Sequence, residues 1–140
     1  MSEKIDVLGV SFDNLTMDEA VETAFAIQSE HRSAYVVTPN PEIVMLAKDD
    51  PALAEAITEA ALVIPDGIGV IYAAKILGTP LHGKLPGIDF ACALMDRLAK
   101  RSGRVYLFGA KPGIAEAAAE TLEKRFPSLV ICGTHDGYFK

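Results

Sequence analysis

The sequence predicts an α/β protein, a Rossmann-like sandwich built on a mostly parallel sheet. Three observations carry that prediction. Short apolar runs alternate with stretches whose apolar residues recur at helical spacing. Such alternation implies parallel strands joined by crossover helices. The polar punctuation also falls just after apolar runs, at Thr38-Pro39-Asn40-Pro41, Pro65-Asp66-Gly67, Gly83 to Asp89 and Gly109 to Gly113. With parallel strands these loops open on one edge of one sheet, where α/β proteins bind their ligands.

The elements follow in order. Ile5 to Phe12 reads as a first strand. Thr16-Met17-Asp18-Glu19 has the Thr-x-x-Glu form of a capping box. It opens a helix that buries Val21, Ala24, Phe25 and Ile27 and ends near His31. Ala34 to Val37 is a second strand. Asn40 as N-cap and Pro41 at the first helical position start the next helix, with Ile43, Leu46 and Ala47 on one face. Pro51 starts another, burying Leu53, Ala54, Ile57 and Ala61. Leu62 to Ile64 is the third strand and delivers Asp66, after which a helix runs from Ile68 to Leu77 and closes on Gly78. Thr79 to Pro86 is a loop carrying His82 and Lys84. A helix from Ile88 places Phe90, Leu94 and Leu98 at i, i+4 and i+8, and Gly103 ends it. Arg104 to Phe108 is the fourth strand, an Ala-rich helix follows Gly113, and Leu129 to Cys132 is the fifth strand.

A chain of 140 residues fits one domain with a modest core, and residues 1–140 are read as a single α/β domain. The net charge of −6 and the absence of any Lys/Arg run argue against a nucleic-acid surface. Cys92 and Cys132 have no CxxC partner and read as two buried, reduced thiols. No apolar run approaches the ~20 residues that span a bilayer. The N-terminus lacks a signal-peptide apolar region. A cytoplasmic protein is expected, with peripheral membrane contact left open.

Asp66 is the residue around which function is best built. It follows a buried strand and stands beside Gly67 and Gly69, which leave room for a ligand or a turned backbone. From its context it can serve as a general base, a ribose-binding acid or a structural turn residue. The Gly109 to Gly113 loop joins strand to helix, so its free N–H groups can hold a phosphate or simply form a tight turn. Its glycine spacing matches neither GxGxxG nor the P-loop. Asn40 is accounted for as a helix cap, and Asp89 as an acid at a helix start. His82 and His135 have no metal-ligand spacing. No Asp-x-Asp pair, GxSxG elbow or nucleophilic Cys or Ser context occurs.

Three blocks taken together resemble the N-acetylmannosaminyltransferase family, also called the WecG/TagA/CpsF family. They are Thr38-Pro39-Asn40-Pro41-Glu42, Pro65-Asp66-Gly67-Ile68-Gly69-Val70 and Lys84-Leu85-Pro86-Gly87-Ile88-Asp89. The stretches Val105 to Gly113 and Gly133 to Phe139 are similar to it as well. The resemblance implies an inverting, metal-independent glycosyltransferase with no cofactor. It would move N-acetylmannosamine, or its uronic acid, from UDP to a polyprenyl-diphosphate-linked N-acetylglucosamine at the inner face of the cell membrane, for wall or surface polysaccharide. By that resemblance Asp66 is the general base. Thr38 and Asn40 hold sugar hydroxyls, Asp89 and Lys84 belong to the substrate-binding set, and Gly109, Ala110 and Tyr138 hold UDP.

Two departures from the family pattern bear on this. Lys84 stands where the family usually has Arg; it keeps the charge and loses the bidentate fork, so altered diphosphate contact is expected. Members also continue past Gly-Tyr-Phe with further sheet elements, a Gly-x-Pro-x-Gln-Glu segment and a basic appendage. The chain is therefore read as the N-terminal larger part of such an enzyme, lacking C-terminal elements, with self-association or marginal stability expected of it. The alternative function is a UDP-binding module without catalysis. A Rossmann oxidoreductase is disfavoured, because the first turn, Val10 to Asn14, has no glycine-rich fingerprint.

Overall fold

The computed structural model describes residues 2–30 and 32–139. It is an α/β protein, and its contacts divide it into two compact units, Met1–Ala91 and Cys92–Lys140. Among the described residues the strands form three two-stranded ladders instead of one continuous sheet.

The first unit opens with a correction. Ile5 to Phe12 is not one strand but a hairpin of β1 (Lys4–Val7) and β2 (Val10–Asp13), paired antiparallel with Val7 opposite Val10. Leu8 and Gly9 turn the chain with φ of 54° and 93°, the left-handed pair that two-residue hairpin turns require. The Asp6 Oδ1 atom accepts the Gly9 N–H at 3.2 Å and secures the turn. The turn keeps Ile5, Val7, Val10 and Phe12 all buried, since alternation resumes after two residues out of phase.

Helix α1 (Met17–Ser29) has the expected capping box: Thr16 Oγ1 accepts the Glu19 N–H, and the Glu19 carboxylate accepts the Thr16 N–H at 2.8 Å. That backbone bond, with a second from the Thr16 hydroxyl, holds the Glu19 carboxyl below its ordinary value of 4.5. Ala20, Val21, Ala24 and Phe25 form its buried face, while Ile27 is only half-buried. The expected end near His31 lies outside the described residues.

The next strand is shorter than expected, with β3 confined to Val36–Val37. Helix α2 (Pro41–Asp49) starts as the sequence predicts, with Asn40 Oδ1 accepting the Ile43 N–H at 2.9 Å. Its buried face is Val44 and Ala47, and Leu46 is exposed. Helix α3 (Pro51–Thr58) repeats the same Asx-Pro start from Asp50 and buries Ile57. Strand β4 (Leu62–Val63) pairs parallel with β3, Val37 opposite Val63. Helix α4 (Ile68–Ile76) closes on Gly78 at φ 84° as predicted. The core gathers the hairpin's inner face, Val44, Ile57, Val63, Val70, Ala74 and Leu81.

Among the described residues of this unit two polar side chains are buried, Asp13 at 2% exposure and Asn14 at 9%. A buried carboxylate is tolerated only when it is paired and hydrogen-bonded. Asp13 accepts from Lys4 Nζ and from the Val63 N–H, each at 2.8 Å, and from the Ser2 hydroxyl. Asn14 donates to Glu3 Oε2 at 3.0 Å and accepts the His82 N–H at 2.8 Å.

Helix α5 (Gly87–Ala99) begins in the first unit and continues into the second. The second unit holds a strand–helix–strand motif, β5 (Arg104–Phe108), α6 (Ile114–Arg125) and β6 (Val130–His135), with β5 and β6 parallel. Its small core is Ala99, Phe126 and Leu129, backed by Met95, Leu98, Val105, Leu122 and Ile131. Strand β6 runs longer than expected and contains a bulge, because Val105 faces Ile131 while Tyr106 faces Gly133. Cys132 is the unpaired residue of that bulge. It is exposed and Cys92 half-buried, which corrects the expectation of two buried thiols; both are free. Among the described residues, no helix is long and apolar enough to cross a membrane.

Candidate functional site

In the first unit the site is built where β3 and β4 end side by side. Because these strands are parallel, the Thr38 loop and the Asp66 loop leave the ladder at the same end. Backbone bonds lay one loop on the other: Ile64 N–H donates to Val37 O at 3.0 Å and Asp66 N–H to Pro39 O at 3.3 Å. A third segment joins them, with Leu85 N–H donating to Pro65 O at 2.7 Å. Gly87, the first residue of α5, donates its N–H to Asp66 Oδ2 at 3.2 Å. Asp66 is half-buried, and its Oδ1 carries no hydrogen bond from the described residues.

Close packing without side chains keeps these segments together. A Cβ on Gly69 would lie 2.7 Å from Pro41 Cγ, and one on Gly87 would lie 3.2 Å from both Thr38 Cγ2 and Thr38 Oγ1. Thr38, Asp66 and the start of α5 are thus brought together, as the sequence led one to expect of Thr38 and Asp66. Asn40 lies in the same loop as Thr38, with its amide oxygen committed to the start of α2. Lys84 and Asp89 flank Gly87 in sequence, and both are exposed. Asp89 stands in the first turn of α5, where an acid complements the helix dipole. Lys84 makes no hydrogen bond or ion pair with the described residues.

This arrangement can hold a carboxylate in one orientation with one oxygen free to take a proton. The tied oxygen fixes the rotamer, and the half-buried setting leaves access from one side. The residues that sequence reasoning passed over are Asp13 and Asn14. Their partners are Val63 and His82, 50 and 68 positions away, and no local spacing announces them. A polar pair closing an apolar strand was the only available signal.

In the second unit Gly109, Ala110 and Tyr138 gather at the C-terminal end of the β5–β6 ladder. Gly109 N–H donates to His135 O at 2.9 Å and Gly137 N–H to Ala110 O at 2.8 Å. Gly137 packs flat on this turn, since a Cβ there would lie 3.4 Å from the Ala110 nitrogen. Ala110 itself has φ 62°. Tyr138 donates its N–H to Asp136 Oδ1 at 2.7 Å, and its ring is exposed. Phe108 packs against His135 and Phe139, with ring centroids 6.0 and 5.4 Å apart. Among the described residues no group of three or more His, Cys, Asp or Glu could hold a metal ion.

Comparison with known proteins matches residues 5–140 to the glycosyl transferase WecG/TagA/CpsF family. N-acetylglucosaminyldiphosphoundecaprenol N-acetyl-beta-D-mannosaminyltransferases of Staphylococcus aureus strains NCTC 8325 / PS 47 and COL are each 40% identical to it over 142 residues. Those alignments cover 96% of this chain and 54% of each relative. The chain spans about half the length of the curated relatives it matches.

Proposed function

The chain belongs to the WecG/TagA/CpsF glycosyl transferase family, and from that premise we propose that it carries an inverting, metal-independent N-acetylmannosamine transfer. The donor is UDP-N-acetylmannosamine or its uronic acid. The acceptor is a polyprenyl-diphosphate-linked N-acetylglucosamine, met at the cytoplasmic face of the membrane. The relatives' name, an N-acetyl-beta-D-mannosaminyltransferase acting on N-acetylglucosaminyldiphosphoundecaprenol, supports the transferred sugar and the acceptor. The parallel β3–β4 and β5–β6 ladders, each with helices between or after its strands, support a Rossmann-like core.

One observation carries the mechanism: Asp66 has one carboxylate oxygen tied to Gly87 N–H and the other unengaged. In the proposed step Oδ1 takes the proton of the acceptor's 4-hydroxyl. The acceptor's O4, freed of its proton, forms its bond to the anomeric carbon from the face opposite UDP. The bond from the anomeric carbon to the diphosphate oxygen breaks, and its electron pair leaves with UDP. General-base help of this kind contributes roughly 10²–10⁴-fold, and positioning of both partners adds to it. Thr38, packed on Gly87, and Asn40, through its amide nitrogen, are assigned to sugar hydroxyls. Lys84 is assigned to the diphosphate as a point charge, and Asp89 to the substrate-binding set. The Gly109–Ala110 turn and Tyr138 are assigned to UDP; with the Gly109 and Tyr138 N–H groups already donated to His135 and Asp136, the Ala110 N–H is the one that can offset its growing charge.

The test is a calorimetric titration of the chain with UDP, against ADP, followed by a transfer assay with UDP-N-acetylmannosamine and a lipid-linked acceptor analogue. Selective UDP binding and an inverted product are expected. Binding without transfer would reduce the reading to a UDP-binding module, and a folded chain that neither binds nor transfers would overturn it.

A further inference from the structure

We propose that Asn14 is a positioning residue for Asp66, acting through the loop that leads to Gly87. The inference rests on the reading of Asp66 as the base of the transfer reaction. Two routes leave the end of β2 and both arrive at Asp66. Along the first, Asp13 accepts the Val63 N–H at 2.8 Å. On either side of β4 the flanking Ala61 and Ile64 N–H groups go to Tyr35 and Val37 of the β3 side. The Val63 N–H faces the other way, and the Asp13 carboxylate stands in for a strand there. That pins the strand three residues before Asp66.

Along the second route, Asn14 accepts the His82 N–H at 2.8 Å. Five residues later the same segment presents Gly87 N–H to Asp66 Oδ2, and between them Leu85 N–H seals onto Pro65 O. Consecutive residues at the end of β2, Asp13 within the strand and Asn14 just after it, therefore set both the carboxylate and the donor that orients it. Residues 79–86 contain no helix or strand, so side-chain anchors must supply what a ladder would supply elsewhere. Asn14 suits this because its amide is itself oriented: Nδ2 donates to Glu3 Oε2, leaving Oδ1 to face His82. A hydrogen-bonding side chain at 9% exposure is costly to leave unpaired, which makes the anchor stiff.

Amide hydrogen exchange on the 140-residue chain tests this independently of turnover. In Asn14→Ala, exchange at Leu85 and Gly87 is expected to rise about tenfold relative to amides of α1 and α4. Unchanged exchange at those two amides, or a uniform rise across all elements, overturns the proposal by reducing Asn14 to a general stabiliser. The double variant Glu3→Gln/Asn14→Asp exchanges donor and acceptor while keeping both hydrogen bonds and the net charge. It is expected to restore protection at Leu85 and Gly87, and its failure to fold or to protect them overturns the proposal even if Asn14→Ala cannot be purified. In the transfer assay Asn14→Ala should lower kcat with KM for the UDP-sugar little changed. If the unaltered chain transfers nothing, the functional reading fails while the exchange result still decides the positioning role.

Discussion

Asp66 and Gly87 meet as carboxylate and helix start: Oδ2 accepts the N–H of the first residue of α5 at 3.2 Å. The bond ties the loop after β4 to a helix that begins 21 residues later. It also leaves the two oxygens of one carboxylate unequal, one structural and one available. A residue can thus be both an anchor and a base.

That inequality predicts how Asp66→Asn behaves. The amide oxygen still accepts from Gly87, so far-UV circular dichroism and the melting transition should change little. Transfer should fall by roughly 10²–10⁴-fold because no group remains to take the acceptor proton. Equal transfer by the variant would remove Asp66 from the mechanism.

Gly69 tests the packing of the three loops. A methyl group there meets Pro41 Cγ at 2.7 Å, and the proline ring cannot rotate away. Gly69→Ala should cost about 1–3 kcal/mol in urea unfolding, as overpacking does. Gly83→Ala, whose added atom meets nothing within 4 Å, is the matching control and should stay near the unaltered value.

The capping box of α1 makes a pH prediction. The Thr16 N–H, then its hydroxyl, stabilise the charged form of Glu19 and depress its titration below 4.5. A depressed folded value means the contribution is complete above the unfolded value and is lost as pH falls through the folded one. The stability difference between the unaltered chain and Glu19→Ala should therefore be constant above about pH 5 and shrink in more acidic solution. A difference that grows on acidification would contradict the assigned bond. Thr16→Ala at neutral pH should cost about 1 kcal/mol.

Phe12 reports on the hairpin. It is fully buried on the inner face of β2, in the core of the first unit. Phe12→Ala should cost about 3–5 kcal/mol, a large share of a domain's ordinary stability, whereas Phe12→Leu should be tolerated at a fraction of that. Chemical denaturation of both variants checks the order.

Much of this architecture was legible in local chemistry. Thr16 with Glu19, Asn40 with Pro41 and Gly78 each mark a helix end by a mechanism confined to a few residues, and each mark is observed. The hairpin was missed because Leu8-Gly9 lies inside an apolar run that reads as one strand. The phase jump between Val7 and Val10, buried residues three apart where a strand spaces them by two, was the available sign. Strands β3 and β4 came out as two residues each because little of their length finds a ladder partner. Asp66 was singled out from its strand and glycines. The hydrogen bonds around it, Gly87 N–H to its carboxylate and His82 N–H to Asn14, join distant residues and leave no periodic trace. The bulge at Cys132 was hidden for the same reason, since register belongs to a pair of strands.

On the proposed function Asn40 carries two duties on one side chain: its amide oxygen starts α2, and its amide nitrogen is the part assigned to a sugar. In evolutionary terms the position is pleiotropic. A lineage adapting to a different sugar could not freely explore residue 40, because most replacements would unseat the helix before they altered recognition. Aspartate keeps the cap and loses the donor; serine keeps the cap and shortens the reach. Diversification of sugar preference should therefore be channelled to positions with no second duty.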